Sequence, residues 1–292
     1  MYKLKGQFYT KPKVAAHCYK IFQKVAKNIK VDLDDYTFIE PSAGCGCFSQ
    51  LLPENRKIGI DIEPRNLPGI KGEGIIKSDY LKWYPEDKSK KYIVIGNPPF
   101  GKRSKVAVDF FNHSAAITNI IAFIVPRQFQ KYSVHSKLNK NFKLIKDYEL
   151  DENSFFTPDG KDFKIRCVFQ IWTSNNIKHR NLRILTPPPI THPDFKMFQY
   201  NNTSKALKVF DEDWDFAVPR QGYENYKRRE LDSRKCERNK QWIMFKVKNR
   251  QIFKRLWDFD FESLARKNTT IYGFGKADVV MEYNHLYAES TI

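Results

Sequence analysis

No stretch of this 292-residue sequence approaches the ~18 uninterrupted apolar residues of a membrane-spanning helix. The opening residues, MYKLKGQFYTKPK, are basic but lead into no apolar segment, so no secretory leader is expected. Cysteine is sparse and irregular. Cys18, Cys45, Cys47, Cys167 and Cys236 include no C-x2-C pair, and a chain of this length needs no disulfide staples. They read as reduced thiols in a soluble, cytoplasmic or other intracellular protein, with no membrane partner. No metal is expected either, since His113, His135 and His179 lack ligand spacing. Acidic residues are short: 33 Asp and Glu against 51 Lys and Arg leave a formal charge of +18. Such a field favours polyanions, with nucleic acid the commonest partner; the alternative is a lysine-rich surface kept for solubility. Heavy use of Lys, Asn, Ile, Phe and Tyr resembles the coding bias of an AT-rich genome, that of a phage or large DNA virus included.

What is abundant is core material. Hydrophobic residues make up 41% and aromatics 15%, which excludes wholesale disorder. Val14, Cys18, Ile21, Phe22 and Val25 recur at helical spacing. Short, continuously apolar runs then follow at 36–39, 57–60, 74–76, 92–95 and 120–125, as expected of strands covered on both faces of a parallel sheet. Helix-length spacers such as 104–116 separate several of them. Two further strands, around 142–145 and within 164–172, could close the sheet as an antiparallel edge. The pattern predicts a doubly wound, Rossmann-like α/β domain, mostly parallel. The proline-rich Thr186–Pro193 reads as a connector. We therefore expect a domain at 1–185 and a small C-terminal extension at 186–292, aromatic and basic with weak periodicity.

Chemistry concentrates at strand ends. Glu40-Pro41-Ser42-Ala43-Gly44-Cys45-Gly46 places an acid and a small-residue turn after the first strand. Alone, such a turn is a weak signal. Asp61 lies 21 residues after Glu40 at the tip of the next strand, followed by Ile62; a carboxylate there can hold ribose hydroxyls, or it can cap a turn. Ser78-Asp79-Tyr80 brings another acid to the same edge. The most specific stretch is Gly96-Asn97-Pro98-Pro99-Phe100-Gly101, where two prolines lock a bend that fixes the Asn97 amide and the Pro98 carbonyl. Phe100 is left beside them as an aromatic plate, or is buried under the turn.

EPSAGCG, GIDIEP, SDY and GNPPF, in this order, resemble the S-adenosylmethionine (SAM)-dependent amino-methyltransferases. Within these they are most similar to adenine-N6 DNA methyltransferases with N-terminal cofactor motifs and C-terminal target recognition. Gly6-Gln7-Phe8-Tyr9-Thr10 resembles the segment preceding the cofactor strand in that group, with Lys11 separating Thr10 from Pro12. The resemblance covers residues 6–175 and implies a class I methyltransferase fold with SAM as cofactor. It implies that Glu40 faces the methionine amino group beside Pro41, Ala43, Gly44 and Gly46. Asp61 and Ile62 would sit at the ribose, Asp79 and Tyr80 at the adenine, and Tyr9 and Thr10 over the methionine end. Asn97 would border the cofactor and, with Pro98 and Pro99, hold the target amine, while Phe100 stacks on the base. Phe155 and Phe156 offer a second wall for that base, or core packing.

The expected function is methyl transfer from SAM to N6 of a flipped-out adenine in DNA. Alternatives are an RNA adenine, a protein glutamine amide, or a non-catalytic nucleic-acid-binding subunit. The extension would bind nucleic acid through Arg220, Gln221, Lys227, Arg228 and Arg229, where bases and aromatics interleave; a solvated basic surface is the alternative.

Overall fold

The computed structural model describes residues 8–65, 74–267 and 272–287. Gly6 and Gln7 of the N-terminal motif lie outside them. The chain divides into two compact units, Met1–Thr186 and Pro187–Ile292.

In the first unit, β1 (Tyr9–Thr10) leads through Lys11 into α1 (Pro12–Asn28). Proline at the first helical position needs no hydrogen-bond partner there, so it starts the helix without cost. Ala15, Cys18, Phe22 and Ala26 form the buried stripe. Next come β2 (Tyr36–Pro41), β3 (Lys57–Asp61), β4 (Ile75–Lys77), β5 (Lys91–Gly96), α2 (Lys105–Ser114), β6 (Ile120–Pro126), α3 (Tyr132–His135), β7 (Lys143–Glu149), β8 (Phe155–Phe156), β9 (Asp162–Phe163) and β10 (Cys167–Thr173).

Seven strands form one sheet in the order β4-β3-β2-β5-β6-β10-β7. The neighbours from β4 to β6 are parallel. β10 is antiparallel to both β6 and β7, so the reversed strand is second from the edge and β7 itself runs with the parallel set. Its position follows from composition: every residue of β10 is buried, whereas β7 is buried only at Leu144 and Ile145. Gln170, fully buried in β10, donates to Phe129 O and Asp147 Oδ1 and accepts from Trp172 Nε1, which makes an interior position tolerable for it. The chain moves outward from β2 in both directions, so the C-terminal ends of β2 and β5 flank the point where strand order reverses. Ligands of open α/β sheets bind at such a point. A second, three-stranded sheet, β1-β8-β9, pairs Thr10 with Phe155 and Tyr9 with Phe156.

The second unit contains β11 (Phe195–Tyr200), β12 (Phe216–Gln221), β13 (Gln241–Val247), α4 (Arg250–Trp257), α5 (Phe261–Lys267) and α6 (Lys276–Tyr287). β13 is the middle strand of an antiparallel sheet, and its Trp242, Ile243, Met244 and Phe245 are completely buried. The weak periodicity of this region therefore conceals a regular sheet with its own aromatic core. Among the described residues no helix is long and apolar enough to cross a membrane.

Candidate active site

A cleft with a cavity volume of about 360 Å³ opens at the C-terminal edge of β2, β3, β4 and β5. Of the residues expected at the cofactor, Tyr9, Thr10, Glu40, Ala43, Gly44, Asp61, Ile62, Asp79, Tyr80 and Asn97 line it. Pro41 and Gly46 do not. Pro41 ends β2, and Gly46 N–H closes the turn on Ala43 O at 2.7 Å.

The turn is held by carboxylates. Both oxygens of Glu40 are engaged: one accepts from Phe48 N at 3.2 Å, the other from Ser49 N at 2.6 Å and Ser49 Oγ at 2.5 Å. Asp61 accepts from Gly44 N and from Glu63 N, each at 2.7 Å, so it braces the first turn from the second strand. Gly44 has φ +57°, and a Cβ there would lie 2.7 Å from Tyr9 Cε1; the glycine lets the ring of Tyr9 lie against the backbone. Asp79 caps the following turn through Leu81 N at 3.1 Å, and Tyr80 OH meets Ser114 Oγ at 2.8 Å. Asp61 and Asp79 thus combine the capping and site-lining alternatives: a carboxylate spending one lone pair per backbone contact retains acceptor capacity toward the cleft.

Glu40 is 3% exposed, and burial pushes its carboxyl up to about 7 against the donations from Ser49 and Phe48. An acid raised above its unfolded value of 4.5 contributes stability fully below that pH and loses it as pH rises through about 7. With no ligand added, the thermal midpoint of the wild type should decline across that window. Glu40→Gln should flatten this part of the decline, and equal slopes in both proteins would remove Glu40 as its source.

Asn97 begins the bend after β5. Its Nδ2 donates to Thr10 Oγ1 at 3.1 Å, while its Oδ1 is buried and has no hydrogen-bond partner among the described residues. Leaving an amide acceptor buried and unpaired costs about 1–3 kcal/mol, an arrangement that a ligand's N–H would relieve. Pro98 and Pro99 also line the cleft. The turn is strained as a unit: Gly101, Arg103 and Ser104 all have positive φ, and a Cβ on Gly101 would collide with Val106.

Phe100 differs from the expected stacking plate. It is 8% exposed and packs edge-on beneath Phe8, centroids 5.1 Å apart, because the left-handed Gly101 turns the chain back over it. Phe8, which stacks on Phe163 at 5.1 Å and 17°, lines the cleft instead, together with Tyr9, Phe48, Tyr80 and Phe110. Phe155 is completely buried; Phe156, half-buried, faces Tyr9 at 5.7 Å. Phe100→Ala should therefore cost about 3 kcal/mol of folding stability, and Phe100→Trp should not rescue it because the site has no room. Urea unfolding checks both, and a Trp variant as stable as the wild type would contradict this packing. Lys11 is accommodated rather than disruptive: its N–H bonds Ser154 O at 3.0 Å and its Nζ pairs with Asp162 at 2.7 Å.

The sequence matches no family model and no curated protein. Solved structures do match. The type IIL restriction-modification enzyme MmeI, in complex with DNA, matches with a TM-score of 0.51 at 11% identity, over 90% of this chain and 65% of its own. A candidate RNA methyltransferase of Pyrococcus horikoshii matches at 0.43 and 19% identity, over 58% of this chain and 88% of its own. Magnesium protoporphyrin IX methyltransferase of Synechocystis, with bound SAM, matches at 0.36 and 11%, over 55% and 80%. The fold is that of class I methyltransferases.

In the second unit much of the basic run is engaged within the protein. Arg228 donates to Glu230 and Glu237 at 2.7 Å each and to Lys235 O at 2.9 Å. Arg229 donates to the carbonyls of Trp257, Tyr226, Arg228 and Phe259 over the Phe261 ring. Arg220 bonds Asn201 and Gln241, and Gln221 bridges to Gly273. Lys227 is exposed. A run of bases in sequence cannot distinguish guanidinium staples from a charged face, because only the fold shows where the donors end.

Proposed function

We propose that this protein transfers the methyl group of SAM to the exocyclic N6 of an adenine flipped out of DNA. The observation that carries the reading is the unpaired, buried Oδ1 of Asn97 on the same cleft as Glu40, Asp61 and Asp79. A row of carboxylates suits a cationic ligand rich in N–H and O–H donors, which SAM is. Asp61 would take the ribose hydroxyls, Asp79 the adenine amino group and Glu40 the ammonium side, with Tyr9 and Thr10 above.

When bound, SAM supplies a methyl group already activated by its sulfonium, so positioning and electrostatics suffice. The protein's part is to make a poor nucleophile competent. The N6 lone pair is delocalised into the ring. Asn97 Oδ1 accepting one N–H, and the Pro98 carbonyl the other, favours a pyramidal nitrogen whose lone pair points at the methyl group. The extra proton leaves after transfer, which is why a histidine base is unnecessary. Thr10 holds the Asn97 amide so that the oxygen faces the target. A duplex adenine cannot reach this depth, hence the base flip. The +18 charge and the DNA-bound state of MmeI support DNA as the acceptor.

Incubation with methyl-labelled SAM and separated DNA, RNA and protein acceptors tests this, with digestion to identify the product. N6-methyldeoxyadenosine is expected. Label in RNA or on glutamine would reassign the substrate, and no label in any acceptor would leave a binding subunit.

A further inference from the structure

We propose that Cys45 and Cys47 form a reversible dithiol–disulfide site on the wall of the cleft, oxidised by hydroperoxides and closing the cleft to its cofactor. Its effect on SAM rests on the function proposed above, whereas the chemistry of the two thiols does not.

Their Sγ atoms lie 3.3 Å apart, and both residues line the cavity. Cys18, Cys167 and Cys236 sit elsewhere, in α1, in β10 and in the second unit. The two neighbouring thiols are unequal. The single Cys47 proton serves Thr10 O while Cys45 is protonated and turns to the Cys45 sulfur, 3.3 Å away, once that ionises, which holds Cys45 below the usual thiol range; Cys47 itself is pushed up by that bond and by burial. Cys45 is thus the nucleophile and Cys47 the resolving thiol. The Cys45 thiolate attacks the peroxide, the O–O bond breaks, and the departing oxygen takes up a proton as water, leaving a sulfenic acid. Cys47 Sγ then attacks the Cys45 sulfur. The S–O bond breaks, and the hydroxide leaves with the Cys47 proton as a second water. Two thiols are oxidised by two electrons and one peroxide is reduced.

The consequence for the cleft follows from one hydrogen bond. Cys47 Sγ–H donates to Thr10 O at 3.1 Å, and Thr10 Oγ1 in turn accepts from the Asn97 amide. Bringing the sulfurs to the ~2 Å of a disulfide removes that donor and draws in a turn with only Gly46 between the cysteines. The turn and β1, joined by that bond and by the Tyr9 ring lying against Gly44, then shift relative to each other at the wall of the cleft.

The test uses the full chain treated with hydrogen peroxide, quenched, alkylated and digested with trypsin. Residues 31–56 form one tryptic peptide carrying both thiols. It should appear two hydrogens lighter and unalkylated, and dithiothreitol should restore it. Calorimetric titration with SAM should show binding weakened about tenfold or more after oxidation and recovered after reduction. In Cys45→Ser, which lacks the nucleophile, peroxide-treated and dithiothreitol-reduced samples should bind SAM alike, whatever the variant's own affinity. Absence of the Cys45–Cys47 disulfide, or equal SAM affinity in the oxidised and reduced wild type, overturns the proposal. If the disulfide forms but neither form binds SAM, the thiol site stands and the cofactor reading falls.

Discussion

Asn97→Ala should lower methyl transfer by about a hundredfold to a thousandfold while SAM affinity stays within a few fold of the wild type. That magnitude is the usual loss on deleting one preorganised hydrogen-bond partner of a transition state. The variant removes the unpaired Oδ1 but leaves Glu40, Asp61 and Asp79 in place around the cleft. It also releases Thr10 Oγ1, which solvent at the cleft can satisfy. Asn97→Asp separates geometry from hydrogen bonding. It keeps an acceptor of the same length but loses the amide donor, so it should retain more transfer than Ala. Single-turnover rates measured with saturating SAM decide the matter. Wild-type turnover in the Ala variant would sink the proposed mechanism. An equal loss of SAM binding would move Asn97 from the target amine to the cofactor.

Arg229→Ala should destabilise the second unit by about 3 kcal/mol, because the guanidinium donates to four backbone carbonyls. Charge-assisted bonds of this kind are worth about 1.5–3 kcal/mol each when made, and rehydration of the exposed carbonyls recovers part of the loss. Arg229→Lys should rescue little, since one ammonium cannot span carbonyls from residues 226–228 and 257–259 together. Denaturant unfolding followed by tryptophan fluorescence reads this through Trp242 and Trp257, both in this unit's core. Arg229→Ala with unchanged unfolding and a reduced salt dependence of DNA binding would restore it as a phosphate contact.

The strands of the sheet, and the edge at which its acids gather, were legible along the chain. Ile93, Val94 and Ile95 can only be an inner strand, being apolar on both faces, and the same argument applies to Ile120–Val125. Once those strands are parallel, Glu40, Asp61, Asp79 and Asn97 gather at one edge, since each stands at or just past the C-terminal end of one of them. Local rules sufficed because strand type, turn chemistry and residue order are all properties of neighbours in the chain.

The tertiary structure decided everything that depends on where a side chain's partner comes from. Phe100 reads from the sequence as an open stacking face, with burial as the alternative; the positive φ of Gly101 and the arrival of Phe8 from the N-terminus resolved it as buried. Arg228 and Arg229 read as a charged surface until the carbonyls of residues 257 and 259 and the carboxylates of Glu230 and Glu237 closed around them. The sheet of the second unit was hidden because its aromatic residues pack across strands rather than at a regular spacing along them. The approach of Cys45 to Cys47 was written in the sequence as a C-x-C. Its bond to Thr10 was not, because 37 residues separate the two and only the fold of β1 over the turn brings them together.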